Sequence, residues 1–338
     1  MAHNDPMTDD ELKHHPYEAL LPDTVLDAVE AQGFGVSGAL LALNSYENRV
    51  YQIGLNDGTY LVAKFYRPGR WSDDAILEEH RFALELAEAE IPVVAPLRND
   101  DGMTLHQFSG FRYALYPRRG GRFPDLEVPD TLTRLGRFLG RLHVIGESGR
   151  FNHRPAINVE RLGSEPRQFL LAGDFISGHY QLEYRDLSAA LLKRITEIFS
   201  SGSAPRQLRL HGDFHPGNIL STDQGVHIVD LDDCATGPAV QDLWMLLSGD
   251  RHEQWLQLDE LLAGYEEFRD FDRRELRFIE SLRTLRLMHY AAWLARRWDD
   301  PAFPLAFPWF NTPRYWEEHI LTLREQQQRL EEASLSLI

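Results

Sequence analysis

The segment His211-Gly212-Asp213-Phe214-His215-Pro216-Gly217-Asn218 and, shortly after it, Ile228-Val229-Asp230-Leu231-Asp232-Asp233 decide how this chain is read. Pro216 and Gly217 cannot continue a strand or a helix, so the first segment is a loop. Loops held on a rigid scaffold carry a large share of reactive groups. Asn218 offers a neutral oxygen and Asp230 a charged one. Such a pair suits a hard cation that keeps several waters and bridges phosphates. His211 reads as a structural histidine hydrogen-bonded within the loop, and His215 as a brace for it. Asp232 is open between a carboxylate near the metal and a solvated or capping acid. Cys234 reads as a small buried hydrophobe without chemistry.

Upstream, the chain is rich in strands. Residues 24–32 read as an amphipathic helix ended by Gly33. Arg49–Leu55 and residues 60–66 read as strands, being rich in β-branched and aromatic residues. Asn56-Asp57-Gly58 between them carries the Asp-Gly hairpin signal. Lys64 stands in the second strand, within Leu61-Val62-Ala63-Lys64-Phe65-Tyr66, on the face of Val62 and Tyr66. A lysine on a buried face calls for an anion. Residues 73–90 carry apolar side chains at helical spacing (Ile76, Leu77, Ala83, Leu84, Leu86, Ala87), and Ile91-Pro92-Val93 closes that helix. Residues 93–116 are expected to form further strands ending in FRYALYP. PRRGGR then reads as a linker. From residue 130 the pattern is mostly helical, with short strands near residues 207–210, 218–221 and 227–231. The expected class is α+β in two lobes: residues 1–116 as a small β-rich N-lobe, residues 117–338 as a larger, mainly helical C-lobe. A cleft between lobes is a common small-molecule site.

The chain has 338 residues, 43% apolar and 26% charged, with a net charge of −17. That charge disfavours binding to nucleic acid or to an anionic membrane surface. One cysteine excludes a disulfide within the chain and suits a reducing cytoplasm. The polar, acidic N-terminal stretch lacks the apolar run of a secretory signal, and no window approaches the ~18–20 apolar residues of a membrane span. A soluble, cytoplasmic monomer is expected. His14, His15, His80, His106, His143, His153, His252 and His289 share no metal-ligand spacing and read as ordinary.

Asp213 lies five residues before Asn218, the spacing between base and metal-binding Asn in the kinase catalytic loop. HGDFHPGN resembles the HGDxHxxN motif of the aminoglycoside, choline and homoserine kinase superfamily, and VDLDD resembles its metal-binding segment. LNSYENRVYQ, VAKFYRP, ILEEHRFAL, GPAVQDLWMLL and AWLARRWDDPAFP are similar to the bacterial stress response kinase A group, from about residue 15 to about residue 320.

The resemblance implies a two-lobed, protein-kinase-like fold and an ATP- and Mg²⁺-dependent phosphotransferase. It implies Asp213 as catalytic base, with Asp230 also catalytic, and Asn218 and Asp230 as Mg²⁺ ligands. Lys64 would hold the α- and β-phosphates, and Glu79 would pair with it; Glu79 rather than Glu78 has the family's distance to the residue before Ile91-Pro92. Asn44-Ser45-Tyr46-Glu47-Asn48 would cover the phosphates, with Ser45 touching them. Residues 114–117 would form the adenine-binding hinge. Asp242 would brace the catalytic loop. The group is understood as cytoplasmic Ser/Thr protein kinases, which implies a protein acceptor. A kinase of small alcohols (homoserine, choline or aminoglycoside type) is the alternative, and a cationic acceptor there would need an acidic pocket. An inactive ATP-binding adaptor is disfavoured, because Lys64, Asp213, Asn218 and Asp230 are all present. The aromatic-rich residues 293–316 are expected to pack the C-terminal helices, with acceptor recognition as the alternative. Residues 233–238 are too short for a regulated activation segment.

Overall fold

The computed structural model describes residues 17–223, 225–332 and 335. The expectations for the first 16 residues, including His14 and His15, lie outside them.

The N-lobe is one antiparallel sheet in the order β1-β2-β3-β5-β4. Its strands are β1 (Val36–Ala42), β2 (Arg49–Leu55), β3 (Tyr60–Phe65), β4 (His106–Phe108) and β5 (Phe111–Pro117). The β2–β3 hairpin turns at Asp57-Gly58: Asp57 accepts hydrogen bonds from the Thr59 amide (2.9 Å) and hydroxyl (2.6 Å), and Gly58 takes the positive φ the turn demands. Helix α1 (Pro22–Glu30) buries Val25, Ala28 and Val29 with Ile53, Ala63, Phe65, Tyr113 and Leu115 of the sheet. Helix α2 (Asp73–Glu88) starts at Ser72, whose hydroxyl accepts from the Ala75 amide. It buries Ile76, Phe82, Ala83 and Leu86, and with them Glu78 and Glu79.

Residues 93–105 are not the strands expected of them. Val93 makes only an isolated bridge to Ile228, and Leu97 one backbone bond to Leu115. Pro92, Pro96 and the Asn99–Gly102 turn interrupt any ladder.

The C-lobe contains α3 (Thr131–Glu147), α4 (Glu165–Ala172), α5 (Gly178–Ser200), α6 (Val240–Trp244), α7 (Arg251–Tyr265), α8 (Ile279–Arg296), α9 (Ala302–Ala306) and α10 (Pro313–Arg329). A π-helical turn, Glu160–Ser164, leads into α4. Helices α3 and α7 meet through glycines: a methyl on Gly136 would collide with the Leu261 carbonyl oxygen, and one on Gly264 with that of Thr133. A second apolar cluster joins α4, α5, α8 and α10 around Tyr184 and Trp316. Among the described residues no helix is long and apolar enough to cross a membrane.

Two short strand pairs carry the chemistry-bearing segments. Strand β6 (Leu208–Leu210) pairs with β9 (Ala235–Gly237), and β7 (Ile219–Thr222) with β8 (Gly225–Ile228). The loop at residues 211–218 joins β6 to β7, and Asp230 follows β8. The Val229 amide donates to the Asn218 carbonyl at 3.0 Å, which sets the two segments side by side.

Candidate active site

Asp242, on α6, has no solvent exposure. Its carboxylate accepts from the backbone N–H of His211 (2.9 Å) and Gly212 (2.8 Å) and from His143 Nε2 (3.2 Å). Burial pushes His143 below the ordinary histidine value. The neutral ring therefore donates from Nε2 and accepts at Nδ1 from the Tyr265 hydroxyl, 2.9 Å away. The loop is thus anchored to the helical core from beneath. Gly212 has φ +83°, and a methyl there would strike the Asp233 carbonyl oxygen, so the position requires glycine.

The loop histidines are held by local bonds. His211 donates from Nε2 to the Val229 carbonyl (3.0 Å) and accepts at Nδ1 from the Asp213 amide (3.3 Å). His215 accepts at Nδ1 from the Gly217 amide (2.9 Å), so its proton sits on Nε2, 3.3 Å from Asp213 Oδ2.

Asp213 is aimed by that imidazole and by Arg286 of α8, whose Nη1 lies 2.6 Å from Oδ1. Burial pushes the Asp213 carboxyl up, but the His215 hydrogen bond and the Arg286 charge outweigh it and hold the group well below the usual carboxylate range. Asn218 donates from Nδ2 to the Asp213 carbonyl at 3.0 Å. A carbonyl only accepts, so the Asn218 amide oxygen must face away from it. Asp230 has the left-handed backbone (φ 60°, ψ 69°) that non-glycine residues seldom adopt; such strain costs about 1–3 kcal/mol and recurs at functional sites. Its carboxylate is half-exposed, with Oδ1 3.3 Å from Lys64 Nζ. Among the described residues no group of three or more His, Cys, Asp or Glu forms a metal cage. One amide oxygen and one carboxylate suit Mg²⁺ that takes its remaining ligands from water and phosphate.

Lys64 Nζ lies 3.1 Å from Glu79 Oε1, 3.0 Å from Asp232 Oδ1 and 3.3 Å from Asp230 Oδ1. Burial pushes this ammonium down, but the three carboxylates more than offset it. Glu78 and Glu79 divide their work. Glu78 accepts from the backbone N–H groups of Asn152 (2.7 Å), His153 (2.8 Å) and Arg154 (2.9 Å). Glu79 faces Lys64. Glu78→Ala is therefore expected to lower thermal stability by about 1–3 kcal/mol, because it strands backbone donors. Glu79→Ala also breaks a buried ion pair and is expected to lower stability too, but of the two variants it alone should lower kcat/KM for ATP, by about 10²-fold, through a misplaced Lys64. Melting curves and steady-state kinetics of the two variants separate the roles.

Asp232 is not a solvated acid. It is 3% exposed and ion-paired with Lys64 and Arg70, and its carbonyl accepts from Arg154. Arg70 also reaches Asp233 at 2.7 Å. Cys234 is buried, which pushes its thiol up to about 12 and leaves it inert.

Ser45 and its neighbours roof the same cleft. The turn is held without glycine. Glu47 binds Arg67 (3.2 Å), Arg297 (2.6 Å) and Trp293 Nε1 (2.6 Å), while Asn48 Oδ1 accepts from the Arg67 amide. Asp300 grips Arg67 from the C-lobe at 2.6 Å. These contacts tie the roof to α8 and the segment after it. Glu47 and Asn48 belong to the turn the sequence pointed to, but Arg67, Arg297 and Asp300 carry no individual role there, because each pairing spans a long stretch of chain with no local pattern to betray it. Residues 293–316 pack the C-terminal helices as expected, with Trp316 buried among aromatic rings, and Trp293 lines the cleft. Of the hinge candidates, Tyr116 and Pro117 line the cleft, while Ala114 and Leu115 are buried in the sheet.

The cleft holds about 880 Å³ and is lined by Ser45, Lys64, Glu79, Asp213, Asn218 and Asp230 together. The model of the phosphotransferase enzyme family matches residues 40–279. Stress response kinase A of Salmonella choleraesuis is 46% identical over 321 residues, spanning 95% of this chain and 97% of that one. The serine/threonine protein kinase RdoA of Salmonella typhimurium matches with the same identity and coverage. Among solved structures, an amicoumacin kinase superposes with a TM-score of 0.70 at 18% identity, covering 93% of this chain and 95% of that one. A spectinomycin phosphotransferase superposes with a TM-score of 0.65 at 15% identity, covering 90% and 98%. These likenesses bear out the two-lobed α+β fold. With the site geometry and the near full-length identity together, the chain belongs to the phosphotransferase enzyme family and, within it, to the stress response kinase A group.

Proposed function

We propose that this phosphotransferase is a cytoplasmic, monomeric protein kinase that moves the γ-phosphoryl group of ATP to a serine or threonine hydroxyl. The observation that carries the reading is the meeting of Asp213, Asn218 and Asp230 with the Lys64–Glu79 pair in one cleft. Phosphoryl transfer needs positioning and charge neutralisation more than covalent chemistry. Lys64, fixed by Glu79, holds the α- and β-phosphates. The Ser45 turn covers them. Asn218 and Asp230 would hold Mg²⁺, which would neutralise charge on the phosphates. The acceptor oxygen forms its bond to the γ-phosphorus as the bond to the β-phosphate oxygen breaks. Asp213 orients the acceptor hydroxyl and takes its proton, and ADP leaves. The identity to a relative named as a serine/threonine protein kinase supports a protein acceptor.

The test is transfer of label from γ-labelled ATP with Mg²⁺, offered a generic protein and a mixture of small alcohols, with products separated by size. Label in protein, lost in Asp213→Ala, is the expected result. Label confined to the small-molecule fraction would replace the protein acceptor by a metabolite or drug, leaving the base and metal ligands in place.

A further inference from the structure

Beyond Asp213, the cleft runs along one face of α8. Leu282, Arg286, His289, Tyr290 and Trp293 recur at helical spacing and all line it. The π-helical turn Glu160–Ser164 packs against α8 and adds Arg161 to the same wall. Such turns cluster at functional sites.

The charges of this wall are one-sided. Arg161 uses its backbone N–H on Asn158, while its guanidinium has no hydrogen-bond or ion-pair partner among the described residues. Burial, with Arg154 and Arg70 nearby, pushes Arg161 below the ordinary arginine value, and Asp233 only partly offsets this. His289 points a buried Nδ1 that has no hydrogen-bond partner; burial, with Arg161 beside it, pushes the ring down to about 4, so it is neutral at physiological pH. Arg286 is exposed and rests on Asp213. Of the carboxylates near the wall, Asp233 is held by Arg70 at 2.7 Å and Glu47 by Arg67, Arg297 and Trp293, while Glu165, at the end of the π-helical turn, acts on Arg161 only weakly, behind Asp233.

We propose that this half of the cleft is an anion subsite, and that the hydroxyl phosphorylated lies beside a carboxylate, as in a serine or threonine within an acidic stretch of protein. The protein part rests on the function proposed above; the anion part rests on Arg161 and Arg286. A guanidinium without a partner is satisfied by a bidentate carboxylate. The same carboxylate gives Arg286 a second partner, so its approach uncovers Asp213 for the acceptor hydroxyl. A cationic acceptor would instead meet two guanidinium groups, a like-charge juxtaposition that excludes partners. The net charge of −17 does not reverse this, because charges beyond about 8 Å are largely screened at physiological salt.

The test uses the full chain and two labelled peptides of equal length, one with serine flanked by Asp and Glu, the other with serine flanked by Lys. Binding is read by fluorescence anisotropy with Mg²⁺ and a non-hydrolysable ATP analogue, and transfer with γ-labelled ATP. Tighter binding of the acidic peptide by about tenfold or more is expected. Arg161→Gln and Arg286→Gln should each erase most of that preference, whereas Arg314→Gln, on α10 and outside the cleft lining, should keep it. Equal binding, a basic preference, or a preference that survives Arg161→Gln overturns the subsite. Glycerate and choline are offered in parallel. Preferential labelling of choline also overturns it. An acidic binding preference lost in Arg161→Gln, with label entering glycerate and no protein, upholds the subsite and removes the protein acceptor.

Discussion

Asp213→Ala is expected to lower turnover by about 10³–10⁴-fold, on the order of 4–5 kcal/mol of transition-state stabilisation, while the affinity for MgATP stays within a few-fold. The reason is geometric. Asp213 touches His215, Arg286 and, of the groups assigned to MgATP, Asn218 at 3.4 Å, whereas Lys64, Glu79 and Asp230 are held together without it. Its loss removes what aims the acceptor hydroxyl and receives its proton, which is a transition-state effect. Asp213→Asn should retain much of the hydrogen bonding and almost none of the rate. Single-turnover transfer and nucleotide titration measure the two quantities; a turnover within tenfold of wild type would sink the assignment. A stability signature accompanies it. The folded state holds this carboxyl below its ordinary value, so it contributes stability at pH above the unfolded carboxylate pKa. That contribution fades as pH falls toward the depressed folded value. The gap in melting temperature between wild type and Asp213→Ala should therefore narrow on acidification below the ordinary carboxylate range.

The parts of this machine that were legible in sequence are those written in local chemistry. The β2–β3 hairpin follows from Asp57-Gly58, helix α2 from its apolar spacing, and the break in regular structure from Pro216-Gly217, although Pro216–Asn218 closes into a single 3-10 turn, which Pro at its first position permits. Strand β1 was not legible. Most of its residues are exposed, Gly38 has φ +84°, and its register with β2 shifts between Val36 and Leu40, so no alternation marks it. Strand β9, Ala235–Gly237, is too short to carry a period. In the site, the motif spacing pointed to Asp213, Asn218 and Asp230, and the structure brings them together with Lys64 and Glu79. The cations that surround them did not announce themselves. Arg70 meets Asp232 across 162 positions, and Arg286 meets Asp213 across 73. His289 shares no metal-ligand spacing with the other histidines; its place three residues after Arg286 on one helical face is the signal the sequence carries.

Lys64→Met carries the other large effect, and it separates binding from folding. Lys64 neutralises Glu79, Asp230 and Asp232 at once. Its removal should lower kcat/KM for ATP by about 10²–10³-fold, since the anchor on the α- and β-phosphates is gone. It should also destabilise the fold by about 3–5 kcal/mol, the range for breaking a buried ion pair at one partner. The two buried acids are not left equally exposed to this loss. Asp232 keeps Arg70, whereas Glu79 retains, among the described residues, Arg154 at 3.8 Å. Burial already raises the Glu79 carboxyl, with Lys64 the first of the charges opposing the rise. Without Lys64 the folded-state pKa climbs further, so the folded variant holds a proton that the unfolded chain releases. Stability of the variant then falls as pH rises through the interval between the unfolded and folded values of Glu79, relative to wild type. Adding Glu79→Gln to Lys64→Met removes the titrating group: the pH-dependent part of the loss should vanish, and activity should stay as low as in the single variant. Melting curves across pH 5–8 for the three proteins, beside ATP kinetics, decide it. If the single variant melts like wild type at every pH, the lysine is not neutralising that cluster. If the double variant regains activity, Lys64 is not the phosphate anchor.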